Sequence, residues 1–340
     1  MTYSENRVAR RTVLKGLGLG VAATAAMPAQ AATAVPSEGG EIWSKEYWTK
    51  KGDIPLWMFR KRIGAPKPGE PARPVVFFVH GSSVTSRVFD LNVPGKGEYS
   101  AMNEFARYGF DCWTMDHENY GKSGRTSGNA DIASGVEDLK AAIPVVLQET
   151  GQSKLNFYGQ SSGGIRAAAY AQVQPERVNR LVLTAFTYKG TGAEEIARRL
   201  KRIDELRASP RRKRDAAMIR SIFTRDGHPA TYDMAVPEAI IAAEMKFGDQ
   251  IPSGTYIDMA ANLPVVDPKK VLCPVLMLRG EHDGNSTNED LLDFYSQLPN
   301  GDRQFIILPH TAHSVGYSRN RHLMYYAVNN FLAAPAPIAA

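Results

Sequence analysis

Six short apolar runs mark out the chain: Val75–Val79, Phe110–Met115, Leu155–Tyr158, Leu181–Thr184, Val275–Leu278 and Phe305–Leu308. They are largely apolar at consecutive positions rather than at alternate ones, the pattern of strands covered on both faces. Stretches with helical spacing lie between and after them, at Tyr99–Tyr108, Asp131–Glu149, Gly164–Val173, Asn288–Gln297 and Arg321–Leu332. Strands alternating with helices predict a mostly parallel, doubly wound α/β sheet. Upstream, Glu41–Arg62 carries Trp43, Tyr47, Trp48, Trp57 and Phe59, and Lys51-Gly52-Asp53 breaks it at a turn between two predicted strands. The prolines of Ala65–Pro74 make that segment a loop.

The alternation stops between Thr187 and Leu263, where the pattern is helical and charged, with no strand run. An insertion between two strands of a doubly wound sheet overhangs their carboxyl ends, where such folds bind ligands. The expected organisation is therefore a targeting segment at 1–31, a linker at 32–45, a core at 46–186 and 264–335, and a helical cap or lid at 187–263. The insertion is basic, with Arg198, Arg199, Lys201, Arg202, Arg207, Arg211, Arg212, Lys213 and Arg214 interrupted by Asp204 and Glu205. Such a run reads first as a solvated helix face, and in its sharper form as attraction for anionic substrates or surfaces.

Composition changes this picture little. With 43% hydrophobic and 22% charged residues, 340 residues can bury a large core without metals or disulfides. About half of the formal +6 charge comes from the extreme N-terminus, where Arg7, Arg10, Arg11 and Lys15 face only Glu5. The remainder is mildly basic, so no nucleic-acid partner is expected. Arg10-Arg11 precedes a weakly hydrophobic run, Leu17–Met27, and then Ala29-Gln30-Ala31. That order is one of a cleavable secretory signal, and the paired arginines resemble a twin-arginine signal. The implied partner is the twin-arginine export machinery, and the implied location periplasmic or extracellular.

The chemistry lies in the turns after the strands. Gly159-Gln160-Ser161-Ser162-Gly163 follows a predicted strand and opens a predicted helix. A tight turn between the two holds a serine in a strained backbone and presents its Oγ above the sheet. Serine is a weak nucleophile and needs a base oriented by an acid. Asp283 follows Val275–Leu278, and His313 follows Phe305–Leu308, so nucleophile, acid and base occur in that order. His310 is the alternative base and Glu281 the alternative acid. His80 is expected to shape its own loop. Two backbone N–H groups are needed for an oxyanion: that of Ser162, and that of Ser82 in His80-Gly81-Ser82-Ser83, with Ser83 as alternate. Phe186, Tyr188, Phe247 and Tyr256 are candidates to line a substrate pocket, with cap core as their other reading.

His80-Gly81, Asp116 with Gly121-Lys122-Ser123-Gly124, the Ser161 turn, Gly280 through Asp283, and His313 together resemble the α/β-hydrolase superfamily over roughly residues 70–335. The resemblance implies the α/β-hydrolase fold with a cap insertion. It implies a small-molecule substrate, no cofactor, no metal, and hydrolysis of a carboxylic ester through an acyl-serine. Amides, lactones and the carbon–carbon bonds of β-diketones fit the same residues, and a non-catalytic binding protein is the reading from another class. Serine in the nucleophile position departs from the aspartate-nucleophile relatives. The implied strand order separates the runs carrying Cys112 and Cys273, so both are expected as free buried thiols.

Overall fold

The computed structural model describes residues 40–337. The expectations for the N-terminal signal and most of the linker lie outside the described residues. Among the described residues, no helix is long and apolar enough to cross a membrane.

An eight-stranded sheet organises the chain, in the order β1-β2-β4-β3-β5-β6-β9-β10. Strands β1 (Ile42–Lys51) and β2 (Ile54–Ile63) form a hairpin around Gly52-Asp53, and β2 runs antiparallel to β4 (Asp111–Met115). Strand β1 begins at Ile42, so the sheet starts inside the segment expected to be linker. The other pairings are parallel: β3 (Val75–Val79), β4, β5 (Leu155–Gln160), β6 (Val178–Thr184), β9 (Val275–Gly280) and β10 (Arg303–Leu308).

Each inner strand serves two cores, which is why its sequence does not alternate. Val75, Phe77 and Val79 face one core together with α2 (Ile132–Thr150), α3 (Ser162–Val173) and α9 (Asn288–Ser296). Val76 and Phe78 face the other, against α1 (Ala101–Arg107) and α10 (Arg321–Ala333). Strand β9 divides in the same way, Val275 and Met277 to one side and Leu276 and Leu278 to the other.

From β3 the chain moves outward to β4, then returns to place β5 on the other side of β3. Loops after adjacent strands that wind in opposite directions diverge and leave a crevice between them. Those loops carry His80–Ser83 and Ser161.

The insertion departs from its expected all-helical form. Besides α4 (Glu194–Leu200), α5 (Ile203–Arg207), α6 (Ala216–Thr224), α7 (Ala235–Glu244) and α8 (Gly254–Ile257), it contains β7 (Arg211–Lys213) paired antiparallel with β8 (Gln250–Pro252). Three-residue strands are too short to show a period, and Arg-Arg-Lys has no apolar face to reveal one. The insertion is tied to the core by a buried ion pair. Arg214 binds Glu244, whose Oε1 also accepts from Thr85 N (2.9 Å) and Thr85 Oγ1 (2.8 Å) in the loop after β3.

Cys112 and Cys273 are free and buried. Cys112 lies on β4 and Cys273 just before β9, with β3, β5 and β6 between those strands. Burial pushes the Cys273 thiol up to about 12, which keeps it protonated and unreactive.

Candidate active site

Ser161 sits between β5 and α3 with φ 56° and ψ −126°, a conformation that non-glycine residues seldom adopt. The turn is held by Ser161 N donating to Thr184 O (2.8 Å) and Gly164 N donating to Ser161 O (2.9 Å). Its glycines are required by contact. A Cβ on Gly163 would lie 2.1 Å from Val79 O, and one on Gly159 would lie 2.5 Å from Gly163 O. Helix α3 therefore packs directly onto the backbones of β3 and β5, and Ser161 stands above the crevice.

The structure brings three expected residues together. His313 Nε2 is 3.2 Å from Ser161 Oγ, and His313 Nδ1 is 2.9 Å from Asp283 Oδ1. The Asp283 contact requires the proton on Nδ1, which leaves Nε2 as the acceptor for the serine proton. Asp283 also accepts from Asn285 N (2.9 Å). Burial pushes the Asp283 carboxyl up. The charge and hydrogen bond of His313, the Asn285 N–H and the Arg225 charge outweigh it and hold the group below the usual carboxylate range.

The alternatives are engaged elsewhere. Glu281 Oε2 accepts from His310 N (2.8 Å), and both residues are exposed. Glu281, His282 and His310 are the group, among the described residues, whose ligand atoms approach closely enough to hold a metal, within 4.8 Å. His80 is fully buried. Its Nδ1 donates to Gly81 O (2.8 Å) and its Nε2 accepts from His117 N (3.1 Å), so it braces two loops.

Ser82 and Ser162 flank the nucleophile. Ser162 opens α3, where the first N–H groups have no intrahelical acceptor. The loop bearing Ser82 passes so close that a Cβ on Gly81 would lie 3.3 Å from Ser161 Cβ. The hydroxyls join the two segments: Ser82 Oγ donates to Ser162 Oγ (2.8 Å) and accepts from Thr255 Oγ1 (2.8 Å). Ser82 O accepts from Tyr120 OH (2.9 Å). Ser83, the alternate, shares a hydrogen bond with Tyr256 OH (2.5 Å).

A cleft opens at Ser161 and His313. Its apolar wall comes from Val84 and Val88 after β3, Ile222 and Phe223 of α6, Ile240 of α7, and Tyr317; Arg199 and Arg225 are its charged lining residues. This corrects most of the expected pocket set. Phe186 and Tyr188 are buried against Phe294 of α9, with ring centroids 4.9 and 5.2 Å away. Phe247 lines a separate surface depression with Arg87 and Lys246. Tyr256 lies in a pocket adjoining the cleft. Aromatic rings bury well wherever they find partners, so aromatic identity did not separate pocket from core.

Asp226, just after α6, was not anticipated. Its nearly buried carboxylate accepts from His313 N (3.1 Å), fixing the histidine loop from the insertion side. A loop aspartate 87 residues from its partner leaves no sequence signal.

Fold and site together define an α/β hydrolase. The chain belongs to the serine aminopeptidase S33 family, whose model matches residues 70–317. Among curated proteins no sequence matches the chain. Solved structures with the same fold include an esterase from Exiguobacterium antarcticum, with 14% identity and TM-score 0.60, covering 83% of this chain and 96% of its own. A 2-hydroxy-6-oxo-6-phenylhexa-2,4-dienoate hydrolase from Rhodococcus sp. strain RHA1 has 17% identity and TM-score 0.60, over 86% of this chain and 100% of its own. A carboxylesterase from Bacillus subtilis has 16% identity and TM-score 0.57, over 85% and 92%.

Proposed function

We propose that the protein is an exported serine hydrolase that cleaves carboxylic esters through an acyl-serine intermediate, with Ser161 as nucleophile, His313 as base and Asp283 as the orienting acid. The observation that carries this reading is the continuous hydrogen-bonded path from Ser161 Oγ through His313 to buried Asp283, at a strained strand–helix turn. Oγ attacks the ester carbonyl as His313 Nε2 takes its proton. Asp283 stabilises the imidazolium that forms. The Ser82 and Ser162 N–H groups receive the oxyanion. His313 then protonates the departing alcohol, and water activated by the same nitrogen releases the acid.

An aminopeptidase must accommodate the free ammonium of a peptide. Arg199 and Arg225 line the cleft, and no carboxylate stands among its lining residues. That charge opposes a cationic terminus, and the apolar wall of Val84, Val88, Ile222, Phe223 and Ile240 suits an ester with apolar substituents.

Fluorophosphonate labelling followed by a panel of ester, amide, lactone and β-diketone substrates tests the reading. Labelling lost in Ser161→Ala, with ester turnover exceeding the rest, is expected. Equal labelling of Ser161→Ala overturns the nucleophile, and faster amide or diketone cleavage overturns the bond class. For export, replacing Arg10 and Arg11 together by lysine is expected to retain the protein in the cytoplasm. Undiminished export of that variant would exclude the twin-arginine route.

A further inference from the structure

Next to the cleft lies a second pocket, and the two share Ser83, Arg199, Ile222 and Arg225. Five guanidinium groups line this second pocket, from Arg198, Arg199, Arg202, Arg212 and Arg225, against one carboxylate, Glu195. Glu195 is shared three ways: with Arg198 Nη1 (2.8 Å), Arg199 Nε (3.0 Å) and Arg225 Nη1 (3.5 Å). Glu195 is thus shared by three positive charges, of which Arg225 also faces Asp226, Nε to Oδ1 at 3.8 Å. Arg202 pairs outward with Glu205. Arg212 is stacked on the Tyr256 ring, 4.1 Å from its centroid, and is near enough to Glu205 for their charges to interact. Arg225 Nε and Nη2 are buried without a hydrogen-bond partner.

Solvated surface arginines do not have these properties. The Arg199 and Arg225 side chains are only 11% exposed. Burial and then the neighbouring Arg225 charge disfavour the charged form of Arg199. Unsatisfied donors and uncompensated like charges in a half-enclosed space are relieved by an incoming anion.

We propose that this pocket is a subsite for an anionic group, a carboxylate or a phosphate, at the end of the substrate remote from the scissile bond. The inference rests on the ester-hydrolase reading and narrows its substrate class. The substrate would be an acyl compound with an apolar segment across Ile222 and an acidic terminus among Arg198, Arg212 and Arg225. The insertion would then select by charge, while the groups that act on the bond come from the sheet. The planar guanidinium forks match carboxylate and phosphate geometry.

The test compares p-nitrophenyl monoesters of a homologous series of dicarboxylic acids with neutral acyl esters of matched length. A third arm carries a terminal phosphate. In the wild type, one acidic series is expected to exceed its neutral counterpart in kcat/KM by roughly 10-fold or more, mostly through KM, as for a charge-assisted hydrogen bond. High salt should reduce that ratio. The readout in Arg212→Gln and Arg198→Gln is the same acidic-to-neutral ratio, expected to fall by about 10-fold. Whichever acidic arm holds the preference identifies the anion. Equal specificity for acidic and neutral esters in the wild type overturns the subsite, as does a ratio unchanged in both variants.

If no ester is turned over and fluorophosphonate does not label Ser161, the hydrolase reading has failed separately. The subsite is then judged by calorimetric titration of glutarate and of inorganic phosphate. Saturable binding that Arg212→Gln weakens supports it, and no binding of either anion overturns it.

Discussion

The strain at Ser161 and the pairing of His313 with Asp283 belong to single residues, and so do their tests. His313→Ala is expected to lower kcat by on the order of 10⁴-fold, because His313 Nε2 is the acceptor in hydrogen-bond contact with Ser161 Oγ among the described residues. His310→Ala should keep most activity, since His310 is exposed and tied through its backbone to Glu281. Ester kinetics on the two variants decide between them; a severe loss in His310→Ala would move the base. Asp226 acts at one remove, through the His313 backbone. Asp226→Ala is expected to lower kcat about 10-fold with little change in KM and to slow fluorophosphonate labelling, because one hydrogen bond that orients the base is lost. Asp226→Asn, whose amide oxygen can still accept, should recover part of that loss. An unchanged labelling rate in Asp226→Ala would refute the positioning role.

Among elements, the insertion divides into a wall and an anchor. The wall is Ile222 and Phe223 on α6 with Ile240 on α7. The anchor is the Arg214–Glu244 pair, which holds the end of α7 against Thr85. Burial pushes the Glu244 carboxyl up, but Arg214 and the Thr85 donors oppose it. An insertion fastened at that point is expected to act on specificity through its wall. Ile222→Trp adds bulk where the cleft narrows the choice of acyl group. It is expected to lower kcat/KM for a bulky ester by about 10-fold more than for a small one, in line with pocket-size discrimination. Labelling by a small fluorophosphonate should persist. If both esters fall equally, α6 supports the fold and does not select.

The whole molecule carries a dependence on pH. His117 is fully buried, with Nδ1 on Asp138 (3.0 Å) and Nε2 without a partner. Burial, and then the Arg166 charge, lower it to about 4, against an ordinary 6.5. Between those values the unfolded chain binds a proton that the native state refuses. Stability is therefore complete above about pH 6.5 and falls as the pH drops toward 4. His80, pushed down by burial and by His117, adds to the same loss. Urea unfolding at pH 7 and 4.5 should show a decrease of about 2–3 kcal/mol from His117 alone. His117→Gln should have a shallower slope, and an identical slope in variant and wild type would assign the loss elsewhere.

The sequence by itself determined the elements and their order. A strand covered on both faces must be apolar at nearly every position, so β3, β5 and β9 are visible as runs. The turn at Ser161 is a local matter of small residues between a strand and a helix. Ser161, Asp283 and His313 were readable because each follows a recognisable strand, and parallel strands deliver their following loops to one edge of the sheet. Contacts between segments with unrelated patterns were decided only by the tertiary structure. Phe186 lies just beyond β6, and its burial depends on Phe294 of α9. The Ser82–Ser162 bond spans 80 residues and the Thr85–Glu244 bond 159. The five arginines of the second pocket come from α4, the segment after it, β7 and the end of α6. Along the chain four of them are ordinary members of a basic stretch and Arg225 stands apart from it; only packing turns their side chains toward one another, because charge and hydrogen bonding act through space and leave no period in the sequence.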